Sequence, residues 1–254
     1  MFVDTHCHYS DEAFRDDADL AIGRALEAGV GMMIHADTCR EERPAMIEVC
    51  RRHPGVLFEM RGVYPCNALE DWRDEVDAME KSITPEVVAI GEIGLDYHEG
   101  REFAAEQRDA LMAQFEIAAT RDLPVNIHLR DATEDFIRAV KDAAHLHLRG
   151  DLHCFSLSLE AYRELIRYAD FSVGIGGVVT FKKAKVAETI KEIPLEKILL
   201  ETDCPYLAPM PWRGTRNESK YIPLIAAKVA EIKGLSVEEV EMATIRGARE
   251  LFNI

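Results

Sequence analysis

Eight short apolar runs punctuate this chain of 254 residues, and patterns of helical period fill the intervals between them. The runs are FVDTHCH (2–8), GMMIHAD (31–37), VLFEMRGVYP (56–65), VVAIGEIGL (87–95), PVNIHLR (124–130), RGDLHCF (149–155), DFSVGIGGVV (170–179) and KILLETDCP (197–205). Each is of strand length and rich in Val, Ile and Leu, with Gly, Pro or charged residues at its borders. Strands of a parallel sheet covered on both faces read this way. Helices are expected at about 11–28, 41–53, 70–82, 103–121, 131–144, 158–168 and 182–193, with two more after 217. In the fourth of these, Phe103, Leu111, Phe115 and Ala118 recur at helical spacing with Glu and Arg between them.

A strand followed by a helix, repeated eight times, specifies an α/β fold of the (β/α)8 TIM-barrel type better than a doubly wound sheet. No Gly-rich phosphate fingerprint follows the first run, which argues against a dinucleotide fold. The length suits one barrel, and no repeat, low-complexity tract or long linker divides the chain, so residues 1–254 are expected to form a single domain.

Polar residues gather at the C-terminal ends of the runs. His6, His8, Glu92, His128, His153 and Asp203 each fall there, on five different runs. In a parallel barrel these ends share one face, where residues distant in sequence converge. His6 and His8 are two apart on a strand and project to the same side. Taken singly, each group has a structural alternative. The histidine pair suits a hydrogen-bonded strand end, a lone histidine suits a satisfied core position, and Glu92, flanked by Gly91 and Ile93, suits a salt bridge to a buried cation, since an unpaired carboxylate is expensive to bury. Jointly they point to metal. Four imidazoles and two carboxylates exceed the needs of one tetrahedral ion, and a bridging carboxylate lets two divalent ions sit about 3.5–4 Å apart. Such donors accept Zn, Mn, Co or Fe and leave Mg open.

The net charge of −16 repels polyanions at long range, so a nucleic-acid substrate requires metal ions or a local basic rim. Arg130 shares a strand face with His128 and suits a phosphate oxygen, or an ion pair with a neighbouring acid. Lys182, Lys183, Lys185, Arg213 and Arg216 suit a basic rim, or a solvated face. Tyr64, Tyr97, Phe155 and Trp212 follow strand ends and suit base stacking, or packing at a loop edge. The six cysteines lack CxxC spacing, and strand alternation turns Cys7, Cys154 and Cys204 away from the metal toward the helices. Reduced thiols, no charged and apolar leader ahead of the first run at Phe2, and no apolar stretch of about 20 residues lead us to expect a cytoplasmic protein with no membrane contact.

The motifs DTHCH (4–8), GEIGLDYH (91–98), IHLRDA (127–132), HCF (153–155), ETDCPYLAP (201–209) and RGTRNE (213–218) resemble, in order and almost end to end, those of the TatD family of metal-dependent hydrolases, amidohydrolase-like TIM barrels associated with deoxyribonuclease activity. The resemblance implies that His6, His8, Glu92 and Asp203 serve one metal position, that Glu92, His128 and His153 serve a second, and that Glu92 bridges them. It implies hydrolysis of DNA phosphodiesters, as a 3′-5′ exonuclease on single-stranded ends, by a water that two divalent ions activate and whose proton Asp203 takes. Zn, Mg and Mn are the candidate ions, and no obligate protein partner is expected.

Two positions depart from the family pattern. Many members read GxHPH where this chain has Gly62, Val63, Tyr64, Pro65 and Cys66, so both histidines of that motif are replaced. The family places those positions near the substrate, which makes Tyr64 and Cys66, with Arg130, Arg213 and Arg216, the substrate-binding candidates. Ser219 stands where a Pro often follows Asn-Glu, a minor change because both suit a helix start. Two other readings stay open: a deacylase or lactonase acting on a small amide or ester at the same metals, and a barrel that binds metal or nucleic acid without turnover.

Overall fold

A computed structural model describes residues 1–254. Eight strands form one parallel sheet in sequence order: β1 (Phe2–Cys7), β2 (Val30–His35), β3 (Leu57–Arg61), β4 (Val87–Asp96), β5 (Val125–Arg130), β6 (Arg149–Leu152), β7 (Asp170–Ile175) and β8 (Ile198–Leu200). The barrel closes between its first and last strands. Cys7 bridges Cys204 in parallel register, Asp203 N–H donates to His6 O at 2.9 Å, and His8 N–H donates to Cys204 O at 2.9 Å.

Helices α1 (Ala18–Glu27), α2 (Arg43–Arg52), α3 (Trp72–Lys81), α4 (Ala104–Arg121), α5 (Thr133–Asp142), α6 (Leu159–Leu165), α7 (Val186–Glu192), α8 (Ile222–Lys233) and α9 (Val237–Phe252) follow the strands in turn. Their inner faces carry the expected spacing. In α3, Trp72, Val76 and Met79 are buried, three and four residues apart, while Arg73, Asp74 and Asp77 between them face out. Local signals set the ends: α9 opens on a Ser236–Glu239 capping box, and α8 ends at Gly234, whose φ of +68° is cheap for glycine. A cluster of 55 buried apolar residues lies between strands and helices, and no helix is long and apolar enough to cross a membrane.

The eight strands occur where the apolar runs place them, and each is shorter than its run where that run continues into a loop at the C-terminal face of the barrel. The largest difference is at the first helix. Residues Glu12–Phe14 make a 3-10 turn capped by Asp11, and α1 starts only at Ala18, because Phe14 turns inward as a buried residue beside Tyr9.

Candidate metal centre

The C-terminal ends of β1, β4, β5, β6 and β8 bring together all six proposed ligands. His6 Nε2 lies 2.9 Å from His8 Nε2, 3.5 Å from Glu92 Oε2 and 3.7 Å from Asp203 Oδ1. His8 Nε2 is 3.7 Å from Glu92 Oε2 and 3.4 Å from Asp203 Oδ1. The other oxygen, Glu92 Oε1, is 2.9 Å from His153 Nε2 and 3.0 Å from His128 Nδ1. Glu92 thus presents one oxygen to each of two donor groups. Among the histidines of the site, the rings of His6 and His153 stack at 4.0 Å, 8° from parallel.

Hydrogen bonds behind the site decide which ring nitrogens face it. Asn126 Nδ2 donates to both oxygens of Asp151, at 3.1 and 3.0 Å, so its Oδ1 remains to accept from His6 Nδ1–H at 2.8 Å. His6 Nε2 is left as a lone pair toward the site. Asp96 Oδ2 accepts from His128 Nε2–H at 3.0 Å, which turns Nδ1 to Glu92; Asp96 is itself held by the backbone N–H groups of His98 and Glu99 through Oδ1. A carboxylate or amide behind a metal-binding imidazole fixes its tautomer and raises its basicity in this way. On the far side, Asp4, fully buried, accepts from Thr202 N–H at 2.9 Å, Thr202 Oγ1 at 2.5 Å and Ser219 Oγ at 2.6 Å, which locks the segment before Asp203 onto β1.

The electrostatics describe a place built for positive charge. Burial opposes ionisation of Glu92, but His153 and His6 outweigh it and hold the carboxyl well below its ordinary range. Burial likewise works against Asp203, and its bond to His8 with the charges of His153 and His6 brings it down. Burial disfavours charge on His8, yet Asp203 and Glu92 carry it up to about 9; for His128, Asp96 and Glu92 do the same, also to about 9. No Lys or Arg side chain makes an ion pair with Glu92 or Asp203, whose partners are histidines throughout. Imidazole nitrogens and carboxylate oxygens converging on shared points without a cationic side chain suit divalent metal: His6, His8 and Asp203 gather as one donor set, His6, Glu92 and His153 as another, and His128 meets Glu92 Oε1 beside them.

A cleft of about 790 Å³ opens in front of these groups. Tyr64, Cys66 and Arg130 line it. The Tyr64 hydroxyl is 3.4 Å from His128 Nε2 and 3.5 Å from Asp96 Oδ2, and burial together with the Glu92 charge pushes its pKa up, so it stays a neutral donor. Burial and the Asp96 charge push the half-buried Cys66 thiol up to about 11. Arg130 pairs with Glu99 at 3.0 Å, the ion-pair reading of that residue. Phe155 lines the cleft, whereas Tyr97 is bonded through its hydroxyl to Asp135 at 2.9 Å and Trp212 stacks on Tyr221.

Two expectations need correction. Arg216 does not reach the cleft: it donates to Asp17 Oδ1 at 2.6 Å and Glu218 Oε1 at 2.9 Å, with its guanidinium 4.5 Å from the Phe14 ring centroid. The charged RGTRNE motif acts as a staple there, because Asn217 Nδ2 also donates to Thr202 O at 2.7 Å and Tyr206 O at 2.6 Å. Arg213 lies outside the cleft wall, over the Phe181 ring at 4.7 Å. Cys154 does not turn toward the helices: β6 ends at Leu152, the backbone takes φ +45° at Cys154, and the residue joins the cleft wall. Cys7 and Cys204 follow strand alternation into the apolar layer.

Four polar residues essential to this arrangement escaped the sequence reading. Asp96 and Asn126 hold the rings of His128 and His6, Asp4 holds the β8 exit, and Glu201, fully buried, accepts from Cys154 N–H at 2.5 Å with its Oε1 3.9 Å from His153 Nδ1. Asn126 and Glu201 sit inside apolar runs, where a polar residue that must find a partner is a signal in itself.

The family model described as TatD related DNase matches residues 3–253. The chain is 37% identical over 261 residues to the uncharacterized metal-dependent hydrolase YabD of Bacillus subtilis (strain 168), covering 100% of both chains. It is 34% identical over 249 residues, 95% of each chain, to the 3′-5′ ssDNA/RNA exonuclease TatD of Erwinia tasmaniensis. Among solved structures it superposes on YJJV, a TatD homolog from Escherichia coli K12, with a TM-score of 0.91 at 27% identity, covering 100% of this chain and 98% of that one. With its parallel barrel and its His, Glu and Asp cluster, the chain belongs to the TatD related DNase family of metal-dependent hydrolases.

Proposed function

We propose that this protein hydrolyses nucleic-acid phosphodiesters as a 3′-5′ exonuclease on single-stranded ends, with two divalent ions held by His6, His8, Glu92 and Asp203 on one side and Glu92, His128 and His153 on the other. The observation that carries the reading is the split of the Glu92 carboxylate, Oε2 toward the β1 histidines and Oε1 toward His128 and His153. The name of the Erwinia tasmaniensis relative, a 3′-5′ ssDNA/RNA exonuclease, supports the substrate class. Bound in pairs, divalent ions lower the pKa of water and stabilise charge on phosphoryl oxygens.

The chain's own groups do the rest. Asp203, in the cleft wall and held in its ionised form, takes the proton of the attacking water at its carboxylate. Tyr64, neutral and beside His128, donates a hydrogen bond toward the scissile group where many relatives carry histidine. Arg130 meets a phosphate oxygen by exchanging Glu99 for it. Asn126 and Asp96 keep the rings of His6 and His128 from turning as charge develops. Mononucleotide release from single-stranded DNA by the metal-refilled protein, lost on Asp203→Asn, tests this reading.

A second reading has one observation in its favour. Apart from the proposed ligands, the charged residues lining the cleft are Asp11, Asp37, Glu42, Glu99, Glu201 and a single cation, Arg130, already paired. That lining suits a small uncharged ester or amide. Acid release from a panel of such compounds, run beside the nuclease assay, separates the two.

A further inference from the structure

In a chain of net charge −16, cations without an acidic partner stand out where they gather. Lys182, Lys183 and Lys185, exposed in the loop after β7, make no ion pair; the next lysine along, Lys191, is already held by Glu188. Arg213, exposed in the loop after β8, is likewise free of carboxylates, in contrast to Arg216 three residues on.

The two loops form one ledge. Gly177 approaches Leu207 so closely that a Cβ there would stand 2.2 Å from Leu207 O. Met210 N–H donates to Thr180 Oγ1 at 2.8 Å, and the Arg213 guanidinium lies 4.7 Å from the Phe181 ring centroid. Its outer surface is apolar as well as basic: Leu207, Met210 and Trp212 are 42%, 48% and 46% exposed. Trp212 is stacked on Tyr221, centroids 5.8 Å apart at 21°, so its ring is held in place with nearly half the side chain in water. The ledge runs into the cleft, because Leu207 and Val178 belong to the cleft wall. Loops after β1, β2 and β4 instead bring Asp11, Glu42 and Glu99 to that cleft.

We propose that this ledge is the approach track of a single-stranded nucleic acid, with Trp212 stacking on a base and Lys182, Lys183 and Arg213 meeting phosphates just outside the cleft. The proposal rests on the nuclease reading above and adds where the strand lies before it reaches the metals. An aromatic face for bases beside cations for the backbone is the chemistry that holds single strands, and a duplex keeps its base faces covered. Charge complementarity leaves this side of the rim as the favourable entry for a polyanion.

The test uses metal-refilled full-length protein and a fluorescent twelve-residue phosphorothioate oligothymidylate, with binding followed by anisotropy across a salt series. Trp212→Ala is expected to weaken binding about tenfold, and Trp212→Phe to retain most of it. The double variant Lys182→Ala with Lys183→Ala is expected to flatten the slope of log K against log salt by about 1.4, at about 0.7 per lost phosphate contact. In parallel, KM for an unmodified twelve-residue strand rises in both variants while turnover of a dinucleotide does not change. Binding and salt slope identical to the parent protein overturn the ledge. If such variants still cleave the long strand with unchanged KM, the nuclease reading survives without the track. Ledge-dependent binding with no cleavage in any metal keeps the track and removes the nuclease reading, and neither binding nor cleavage by the parent protein removes both.

Discussion

His128 and Asp96 meet through Nε2 and Oδ2 at 3.0 Å, and this contact turns the other ring nitrogen of His128 onto Glu92. Asp96 touches no proposed ligand atom that faces the metals, yet it determines the tautomer of one of them. Replacing it by asparagine leaves an amide oxygen that can accept the ring N–H but removes the negative charge that raises the ring's basicity. Asp96→Asn is expected to lower affinity at the His128 and His153 position by about 10–100-fold, with the fold intact. Competition against a graded chelator series measures this, and unchanged affinity would show that Asp96 has no hold on the ring.

Tyr64 supplies a hydroxyl beside His128, one of the proposed metal ligands. Tyr64→Phe removes only that donor, 3.4 Å from His128 Nε2. The expected result is a kcat lower by about tenfold or more, the order of one lost hydrogen bond to developing charge, with metal content unchanged. Turnover equal to the parent protein would place Tyr64 in the wall as packing alone.

Gly94 lies on β4 two residues beyond Glu92 and in register with His128, at φ +151°. A Cβ there would stand 1.8 Å from His128 O, a backbone atom that cannot swing aside. Gly94→Ala is therefore expected to cost about 2 kcal/mol or more in denaturant unfolding, because the strands must part, and to reduce metal binding at the same time. Full stability with full metal content would contradict this geometry.

Glu218 receives Arg24 Nε at 2.8 Å, Arg216 Nη2 at 2.9 Å and Lys220 Nζ at 3.0 Å, and joins the β8 loop to α1. Burial raises its pKa, but the three cations outweigh burial and bring it to about 2, from the usual 4.5. A carboxyl depressed in the folded state contributes stability above its unfolded pKa and loses it as pH falls through the folded one. Glu218→Gln is expected to destabilise by about 2 kcal/mol at pH 7, and the gap to the parent protein to close between about pH 4.5 and 2. Urea unfolding of both proteins across that range measures it; a gap that does not change with pH would contradict the ionic origin.

Most of this arrangement is legible in the chain because a parallel barrel writes its active face at the ends of its apolar runs. His6, Glu92, His128, His153 and Asp203 are visible as polar groups closing strands that are otherwise apolar. The residues that orient them are harder to see. Asp96 lies between Leu95 and Tyr97 and reads as the first acid of a loop, although β4 runs through it and two backbone N–H groups close on its carboxylate. Arg216 misled because a cation after a strand end reads as a phosphate contact, whereas the fold surrounds it with Asp17, Glu218 and Phe14. Cys154 misled because alternation was carried two residues past the end of β6, where the backbone turns to φ +45°. Both errors concern the loops, whose course depends on contacts between distant segments that no local pattern announces.

The central claim, a carboxylate shared between two metal positions serving phosphodiester hydrolysis, is tested most directly by one assay. Protein stripped with chelator and refilled with Mg, Mn or Zn is given single-stranded DNA labelled at its 3′ or its 5′ end, and the parent chain is compared with Glu92→Ala and Asp203→Asn. The account expects mononucleotides from the 3′ label first, in at least one metal, and none from either variant. A parent protein that holds two ions per chain and releases no nucleotide, or a Glu92→Ala protein that releases them undiminished, would contradict it.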